Sequence, residues 1–378
     1  MWIKSRNENF IEKENLIISN GYIGVAHIME TRDNYILTVH RIRSKSQPAY
    51  KKLQPVLFMH GLAMTGGDFI ELGPNNALPY LLADLGYECW LGNSRGTDYS
   101  LGHRFISNDT KEFWDFSFHE IGLFDLPAMI DFVLSYSRAR KLFYICHSQG
   151  CSALMVLISL QPHYNEKIFE AHLYSPAVFM KNSERQIYIF FETPINAFAS
   201  LTKRYDILSK IPYLFMLTFL TDVFCHTDLI TIEFCKFVYK LVCGFNENGT
   251  ETDMNNMALM MRLLPRAVSL KQIVHFSQLL HTERFLHYNY GEKNIEIYGQ
   301  NEPPEYDLRN VQIRIYIYAG KNDLLINLKD LEHFRDILPN VKRFKVLENY
   351  NHCDFNYGIN SKKLVYDFII KSILKYKK

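Results

Sequence analysis

Short runs of apolar residues, each followed by glycine or polar residues, recur toward both ends of this chain. They are too short for buried helices, and their lack of alternation is typical of strands that are covered on both faces. A preceding segment alternates apolar and polar residues, as a half-buried strand does. The alternating strand is predicted at 35–41, and the buried strands at 55–59 (PVLFM), 87–91, 142–146 (LFYIC), 168–177, 313–319 (IRIYIYA) and 343–347.

Segments with a helical spacing of apolar residues lie between these strands. They cover residues 80–85, 121–134, where Pro127 is expected to bend the helix, and 151–160. Strands that alternate with helices predict a mostly parallel central sheet with helices on both faces. The predicted fold class is therefore α/β.

This alternation stops between residues 181 and 306. The interval is aromatic and irregularly helical, has no buried-strand pattern and ends at the loop 301–304 (NEPP). We therefore predict an α/β core made of residues 1–180 and 307–378, with 181–306 inserted between its two parts.

Composition and hydropathy exclude several classes of protein. With 42 basic against 40 acidic residues, the net charge of +2 gives no electrostatic basis for binding nucleic acid. The longest apolar-rich run, 211–220, contains Pro212 and is about half as long as a membrane span, so no transmembrane segment is predicted. Residues 1–16 lack the uninterrupted apolar stretch of a secretory signal peptide.

The most specific chemical motif is the segment 146–150 (CHSQG), between a buried strand and a helix. On such a sharp turn the hydroxyl of Ser148 is exposed above the sheet, at the positive end of the helix, which suits a nucleophile. The amide of Gln149 would point to a developing oxyanion. Residues two positions from the serine must be small. Gly150 is small, whereas Cys146 replaces the usual glycine and weakens the match. The alternative is an ordinary turn with a capping serine.

A serine nucleophile needs a base and an orienting acid, which can follow it along the chain in the order acid, histidine. Asp323 follows the fifth buried strand and His352 follows the sixth. Because the carboxyl ends of parallel strands meet at one edge of a sheet, we expect both residues beside Ser148. Alone, each has an ordinary structural interpretation; in this order and context they predict a triad. Asp354 is a rival for the acid.

The segment 60–62 (HGL) directly follows the first buried strand. Its position on the same sheet edge as Ser148 predicts that the amide of Leu62 is the second oxyanion donor. His60 is not expected to be the base, because it precedes the nucleophile and belongs to another loop.

With these motifs, the sequence resembles the acid lipase family, which comprises gastric and lysosomal lipases and their insect and mammalian relatives within the α/β-hydrolases. The resemblance covers nearly the whole chain. Further matching segments are 31–41 (TRDNYILTVHR), 90–96 (WLGNSRG), 113–132, 320–325 (GKNDLL) and 350–355 (YNHCDF).

The resemblance implies an α/β-hydrolase fold and a serine lipase or esterase that degrades neutral lipid esters, such as triacylglycerols or sterol esters, through an acyl-enzyme. Such an enzyme needs no metal or organic cofactor. The interval 181–306 would be a cap with a mobile lid, with the aromatic stretches 187–198 and 211–224 facing a lipid–water interface. The alternatives are an esterase for short soluble esters and a lipid-binding homologue weakened by Cys146. The oligomeric state is left open.

The resemblance also pairs Cys225 with Cys235 as a disulfide and leaves Cys243 as a free thiol. Asn108 and Asn248 each begin an N-glycosylation sequon. Members of the family are secreted or lysosomal, whereas no leader peptide is visible in this sequence, so an intracellular location is the alternative.

Overall fold

The computed structural model describes residues 6–48, 50–183, 225, 232–244, 252–263 and 267–377. The predicted aromatic stretches 187–198 and 211–224 and the sequon at Asn248 lie outside these residues.

The described residues form one nine-stranded sheet in the order β1-β2-β4-β3-β6-β7-β8-β9, with β5 paired to β2. Neighbouring strands from β4 through β9 along this order pair in parallel, which confirms the mostly parallel sheet, whereas β2 pairs antiparallel with β1, β4 and β5. The strands are β1 (Ile23–Glu30), β2 (Tyr35–Arg43), β3 (Gln54–Met59), β4 (Tyr87–Asn93), β5 (Gly102–His103), β6 (Leu142–His147), β7 (Ile168–Tyr174), β8 (Arg314–Gly320) and β9 (Val341–Leu347).

The central strands are buried on both faces, as their unbroken apolar sequences predict. In β3, Val56 and Phe58 join one hydrophobic core, while Leu57 and Met59 join a second core on the opposite face. Alternate side chains of a strand point to opposite faces, so each central strand helps to build both cores.

Helices cover both faces. Helices α1, α2 and α9 supply the core that contains Val56, and α3, α4 and α8 supply the core that contains Leu57. Among the described residues, the helices of seven or more residues are α1 (Arg6–Ser19), α2 (Leu78–Asp84), α3 (Leu126–Ser137), α4 (Gln149–Leu160), α5 (Ile232–Cys243), α6 (Met254–Leu263), α7 (Leu270–Leu279), α8 (Leu328–Ile337) and α9 (Asp367–Leu374).

The helix predicted over 121–134 has an irregular turn beside its proline. A π-helical turn, Ile121–Asp125, precedes α3, and Pro127 lies in the first turn of α3. Helical backbone continues through this turn into α3, and proline has no amide hydrogen to donate within a helix, so an irregularity directly before it is expected. The bend at Pro127 stays a prediction.

Between β7 and β8 the described residues add no strand to the sheet and contain α5, α6 and α7. Buried sulfur atoms and aromatic rings form a third core that joins this interval to the sheet edge. Its buried members are Met64, Cys225, Cys235, Tyr239, Cys243, Met257, Met260, Met261, Cys353 and Tyr357. In the part of the chain that the structure describes, no helix is both long and apolar enough to span a bilayer.

Candidate active site

The turn between β6 and α4 places Ser148 alone between strand and helix. Ser148 has φ 51° and ψ −117°, a strained backbone conformation for a residue with a side chain. Its amide donates a 2.9 Å hydrogen bond to the carbonyl of Tyr174 at the end of β7, which anchors the turn to the neighbouring strand. Strain of this kind is typical of a nucleophile held on a sharp strand-to-helix turn.

Close packing explains why residue 150 is glycine. A Cβ at Gly150 would lie 2.5 Å from the carbonyl oxygen of Met59 and 2.7 Å from that of His60. The first turn of α4 therefore rests directly on the end of β3. The predicted requirement for a small residue two positions after Ser148 is met by this contact.

Cys146, which replaces the usual glycine, fits into the turn. Its side chain is fully buried and forms a disulfide with Cys151 in the first turn of α4, with the two Cα atoms 5.3 Å apart. The side chain is thus accommodated by bonding across the turn, and Ser148 keeps its strained conformation. Its disulfide explains how a residue larger than glycine fits at position 146, and the effect of Cys146 on catalysis stays a prediction.

The loop after β3 lies against the serine. A Cβ at Gly61 would be 3.1 Å from the Cβ of Ser148. In the described part of the chain, the amides of Leu62 and Gln149 donate no hydrogen bond, so both are available to a ligand. The arrangement can stabilise an anion beside the Ser148 hydroxyl.

His60 has a structural role in this loop. The amide of Ser94 donates to its Nε2 at 3.1 Å, and its Nδ1 donates to the carbonyl of Gly61 at 2.8 Å. Burial lowers the pKa of His60, which keeps the imidazole neutral in this pair of bonds. Both nitrogens are occupied, in keeping with the expectation that His60 is not the base.

The loops after β8 and β9 bring the predicted acid and histidine together. His352 Nδ1 donates a 2.8 Å hydrogen bond to Asp323 Oδ2, and both residues are buried. The other oxygen of Asp323 accepts from the amides of Leu325 and Ile326 at 2.9 Å each, which fixes the carboxylate. With its proton on Nδ1, the imidazole has a lone pair on Nε2 and can act as a base.

Asp354, the rival acid, faces other partners. One of its oxygens accepts from the amide of Asn351 at 2.7 Å, and the other accepts from Thr252. This carboxylate therefore stabilises the histidine loop, and Asp323 is the acid that contacts the imidazole of His352.

His147 connects the serine turn to the histidine loop. Its Nε2 donates to the carbonyl of His352 at 2.8 Å, and the two rings are 4.7 Å apart between centroids. Burial lowers the pKa of His147 far below its ordinary value, so this ring is neutral.

Within the described residues no hydrogen bond joins the Ser148 hydroxyl to the His352 ring. Catalytic hydrogen bonds are often long in unliganded enzymes and shorten when substrate binds.

Gln272 on α7 is a site residue that the sequence analysis missed. Its Nε2 donates to the side-chain oxygen of Gln149 at 3.0 Å, and its own oxygen accepts from the amide of Ser269 at 2.8 Å. Ser269 in turn donates to the carbonyl of Phe116. The S-x-x-Q pattern of 269–272 is a capping box, which could have marked the start of α7, though not its contact with Gln149.

An ion pair fixes α7 to the core beside this contact. Lys271 Nζ lies 3.2 Å from Glu120 Oε1, and both side chains are mostly buried. Burial of the Glu120 carboxylate raises its pKa, but the charge of Lys271 and the hydrogen bond from the Ser117 amide outweigh burial and lower it to about 2. Glu120 therefore stays ionised in moderately acidic solution.

The cysteines of the inserted interval pair in two ways. Cys225 is bonded to Cys235, the pairing that the resemblance implied. Cys243, expected to be a free thiol, is instead bonded to Cys353, with 5.7 Å between the Cα atoms. The expectation was wrong because α5 ends beside the histidine loop, where Cys353 faces Cys243.

The sequon at Asn108 lies in a loop, where the side chain is half-buried and its nitrogen donates to the carbonyl of Leu101 at 3.1 Å. Glycosylation of Asn108 stays a prediction. Among the described residues, no cluster of three or more His, Cys, Asp or Glu side chains could hold a metal ion.

Comparison with known proteins gives a consistent set of relatives. A family model for a partial alpha/beta-hydrolase lipase region matches residues 14–73, and one for the alpha/beta hydrolase fold matches residues 54–186. Lipase 1 of Drosophila melanogaster is 36% identical over 369 residues, covering 96% of this chain and 79% of that protein. Human gastric triacylglycerol lipase is 30% identical over 364 residues, covering 95% and 89% respectively.

Solved structures agree on the fold. A soluble variant of monoglyceride lipase from Saccharomyces cerevisiae, in complex with a substrate analog, superimposes with a TM-score of 0.56 at 17% identity, covering 92% of this chain and 94% of that one. An esterase from Exiguobacterium antarcticum gives a TM-score of 0.52 at 14% identity, covering 92% and 99%. The α/β-hydrolase fold implied by the sequence is confirmed.

Proposed function

This chain belongs to the lipase family of the α/β-hydrolases, and on that premise we propose that it hydrolyses neutral lipid esters, triacylglycerols or sterol esters, by serine catalysis. Its similarity to named lipases identifies it as a carboxylic ester hydrolase. The observation that carries the proposal is the hydrogen-bonded Asp323–His352 pair, at the sheet edge where Ser148 sits in a strained turn.

The proposed reaction has two steps. His352 Nε2 takes the proton of the Ser148 hydroxyl as the oxygen attacks the ester carbonyl, and then gives it to the departing alcohol. Water, activated by the same imidazole, attacks the acyl-enzyme and releases the fatty acid. Asp323 holds the imidazole in the tautomer with a proton on Nδ1 and stabilises its charged form.

The amides of Leu62 and Gln149 are proposed to hold the oxyanion of each tetrahedral intermediate. Both lie beside Ser148, one at the start of α4 and one in the loop against which the serine packs. Because these are backbone donors in packed elements, little reorganisation is needed when negative charge develops.

Residues 1–180 and 307–378 are proposed as the hydrolase core and 181–306 as its cap. In support, the described part of 181–306 contains three helices of ten or more residues and adds no strand to the sheet, and Cys243 at the end of α5 is bonded to the histidine loop. We assign the aromatic stretches of the cap to the lipid interface, since a lipase must present apolar surface to its aggregated substrate.

A secreted or lysosomal location is proposed with this function. The described residues contain three disulfides, and such bonds persist in oxidising compartments rather than in the cytosol.

The test is hydrolysis by purified Ser148→Ala and wild-type protein of a soluble p-nitrophenyl ester, emulsified triacylglycerol and a sterol ester. We expect Ser148→Ala to lose activity on all three, because its nucleophile is gone. Ser159→Ala, in the same helix α4, serves as the matched control and retains activity. Activity of Ser148→Ala equal to that of the wild type would contradict the proposal. Wild-type activity restricted to the soluble ester would identify an esterase instead.

A further inference from the structure

We propose that the disulfide Cys243–Cys353 makes the end of cap helix α5 a positioning element for the catalytic histidine. The inference rests on the proposed function, in which His352 is the general base. Turnover would then depend on a covalent bond between the cap and the histidine loop.

The bond joins two distant parts of the chain beside the site. Cys243 is the last residue of α5, and Cys353 directly follows His352, 110 residues further along the chain. Both cysteines are buried. Of the three disulfides in the described residues, this one alone connects the interval 181–306 to residues 307–378.

A backbone hydrogen bond fixes the histidine to the same residue of the cap. The amide of His352 donates to the carbonyl of Cys243 at 2.9 Å. The histidine backbone is thus attached to Cys243 directly, and the next residue is attached to it covalently. Two adjacent attachments restrict both translation and rotation of the His352 peptide, and therefore the direction of its imidazole.

The residue after Cys243 packs against the acid loop. Gly244 has φ +93°, and a Cβ there would lie 2.1 Å from the carbonyl oxygen of Asn322, the residue before Asp323. The segment 243–244 therefore contacts the acid loop on one side and the histidine loop on the other. Its position helps to set the 2.8 Å separation between Asp323 and His352.

Side chains of the histidine loop reinforce this contact. The side-chain nitrogen of Asn351 donates to the carbonyl of Gly244 at 3.1 Å and to the hydroxyl of Tyr239 at 2.8 Å. These bonds are neutral and individually weak. The covalent bond is much stronger than either hydrogen bond, so we assign the main restraint on the histidine loop to the disulfide.

Reduction should therefore impair catalysis without removing any triad residue. Dithiothreitol transfers two electrons and two protons to the disulfide, giving the thiols of Cys243 and Cys353, and is itself converted to its cyclic disulfide. Released from the cap, the loop samples orientations in which the imidazole of His352 is misaligned. Misplacement of a catalytic group by about 1 Å can cost on the order of 100-fold in rate.

The first experiment compares wild type with the double variant Cys243→Ala/Cys353→Ala on a soluble p-nitrophenyl ester. Active sites are titrated with a fluorophosphonate, so that kcat refers to competent enzyme. We expect kcat to fall by about 10- to 100-fold with little change in KM. The control Cys225→Ala/Cys235→Ala removes a disulfide of the same cap and should lower thermal stability while leaving kcat per titrated site unchanged.

The second experiment needs no variant and so does not depend on folding of the mutated chain. Wild-type protein is treated with increasing dithiothreitol, alkylated, and assayed while peptide mass analysis follows each cysteine. Loss of turnover should follow alkylation of Cys243 and Cys353, rather than that of Cys225 and Cys235. Full turnover with Cys243 and Cys353 both alkylated, or an unchanged kcat in their double variant, would overturn the inference. Absence of ester hydrolysis by untreated wild type would instead overturn the proposed function.

Discussion

Replacing Gly150 with alanine tests how closely the serine turn must pack against the oxyanion loop. A Cβ at this position would lie 2.5 Å from the carbonyl oxygen of Met59, and ordinary contact begins at 3.4 Å. Because the obstructing atom belongs to the backbone, the two segments must separate by about 0.9 Å. Leu62 follows Met59 by three residues, so this displacement moves one oxyanion donor away from Ser148.

The expected loss follows from the role of that donor. Removing one oxyanion-hole donor in comparable sites lowers kcat by about 100- to 1000-fold, and a displacement near 1 Å should approach that range. The assay is steady-state hydrolysis of a soluble p-nitrophenyl ester, with active sites titrated and the fold monitored by circular dichroism. KM should change little, since the donor acts mainly on the developing oxyanion.

Gly299→Ala is the matched control for Gly150→Ala. Gly299 has φ +71° and open space around its Cα, so alanine there strains the backbone by about 1 to 2 kcal/mol without meeting another atom. It should lower the melting temperature and leave kcat intact. A folded Gly150→Ala protein with the kcat of the wild type would refute the packing argument.

Two further substitutions test the acid and the attachment of the cap. Asp323→Asn can no longer hold the His352 tautomer with a proton on Nδ1, so kcat on a p-nitrophenyl ester should fall by about 10⁴-fold. A loss of kcat no larger than that of Asp354→Asn would contradict the role of Asp323 as the acid of the triad. Lys271→Met removes the largest of the several interactions that together outweigh burial and lower the pKa of Glu120 from 4.5 to about 2. The lowered pKa stabilises the fold fully above pH 4.5, and this contribution disappears as the pH falls toward 2. The difference in melting temperature between wild type and Lys271→Met should therefore narrow between pH 4.5 and pH 2. A difference that stays constant would contradict the role of Lys271 in lowering the pKa of Glu120.

The buried strands and the residues at their carboxyl ends could be predicted from the sequence. A strand covered on both faces, such as β6, is an unbroken apolar run, and the polar residues that follow it must lie at the sheet edge. This reasoning placed Asp323 and His352 in separate loops, and the structure joins them in a hydrogen bond.

Strand β1 and helix α1 were not predicted from the sequence. Strand β1 (Ile23–Glu30) lies at the edge of the sheet, where most of its residues are partly exposed. Its sequence mixes apolar and polar side chains without a strict alternation, so the period-two pattern is weak. Helix α1 is amphipathic only in part and has few apolar residues, so its stability depends on tertiary contacts such as that of Ile17.

Contacts between segments that are distant along the chain could not be predicted from the sequence, for a geometric reason. The bond from Cys243 to Cys353 depends on where α5 ends relative to the histidine loop, and sequence spacing carries no information on that distance. The contact between Gln272 and Gln149 is of the same kind. Cys146 and Cys151 are close in sequence, but their pairing becomes evident only when the turn at Ser148 is known.

The central claim is that Ser148 is the nucleophile activated by His352. It is tested most directly by reacting the purified protein with a fluorophosphonate and locating the adduct by peptide mass spectrometry. We expect a single adduct on Ser148, its absence in Ser148→Ala and greatly slowed formation in His352→Ala. An adduct on another residue, or equal labelling rates in His352→Ala and wild type, would contradict it.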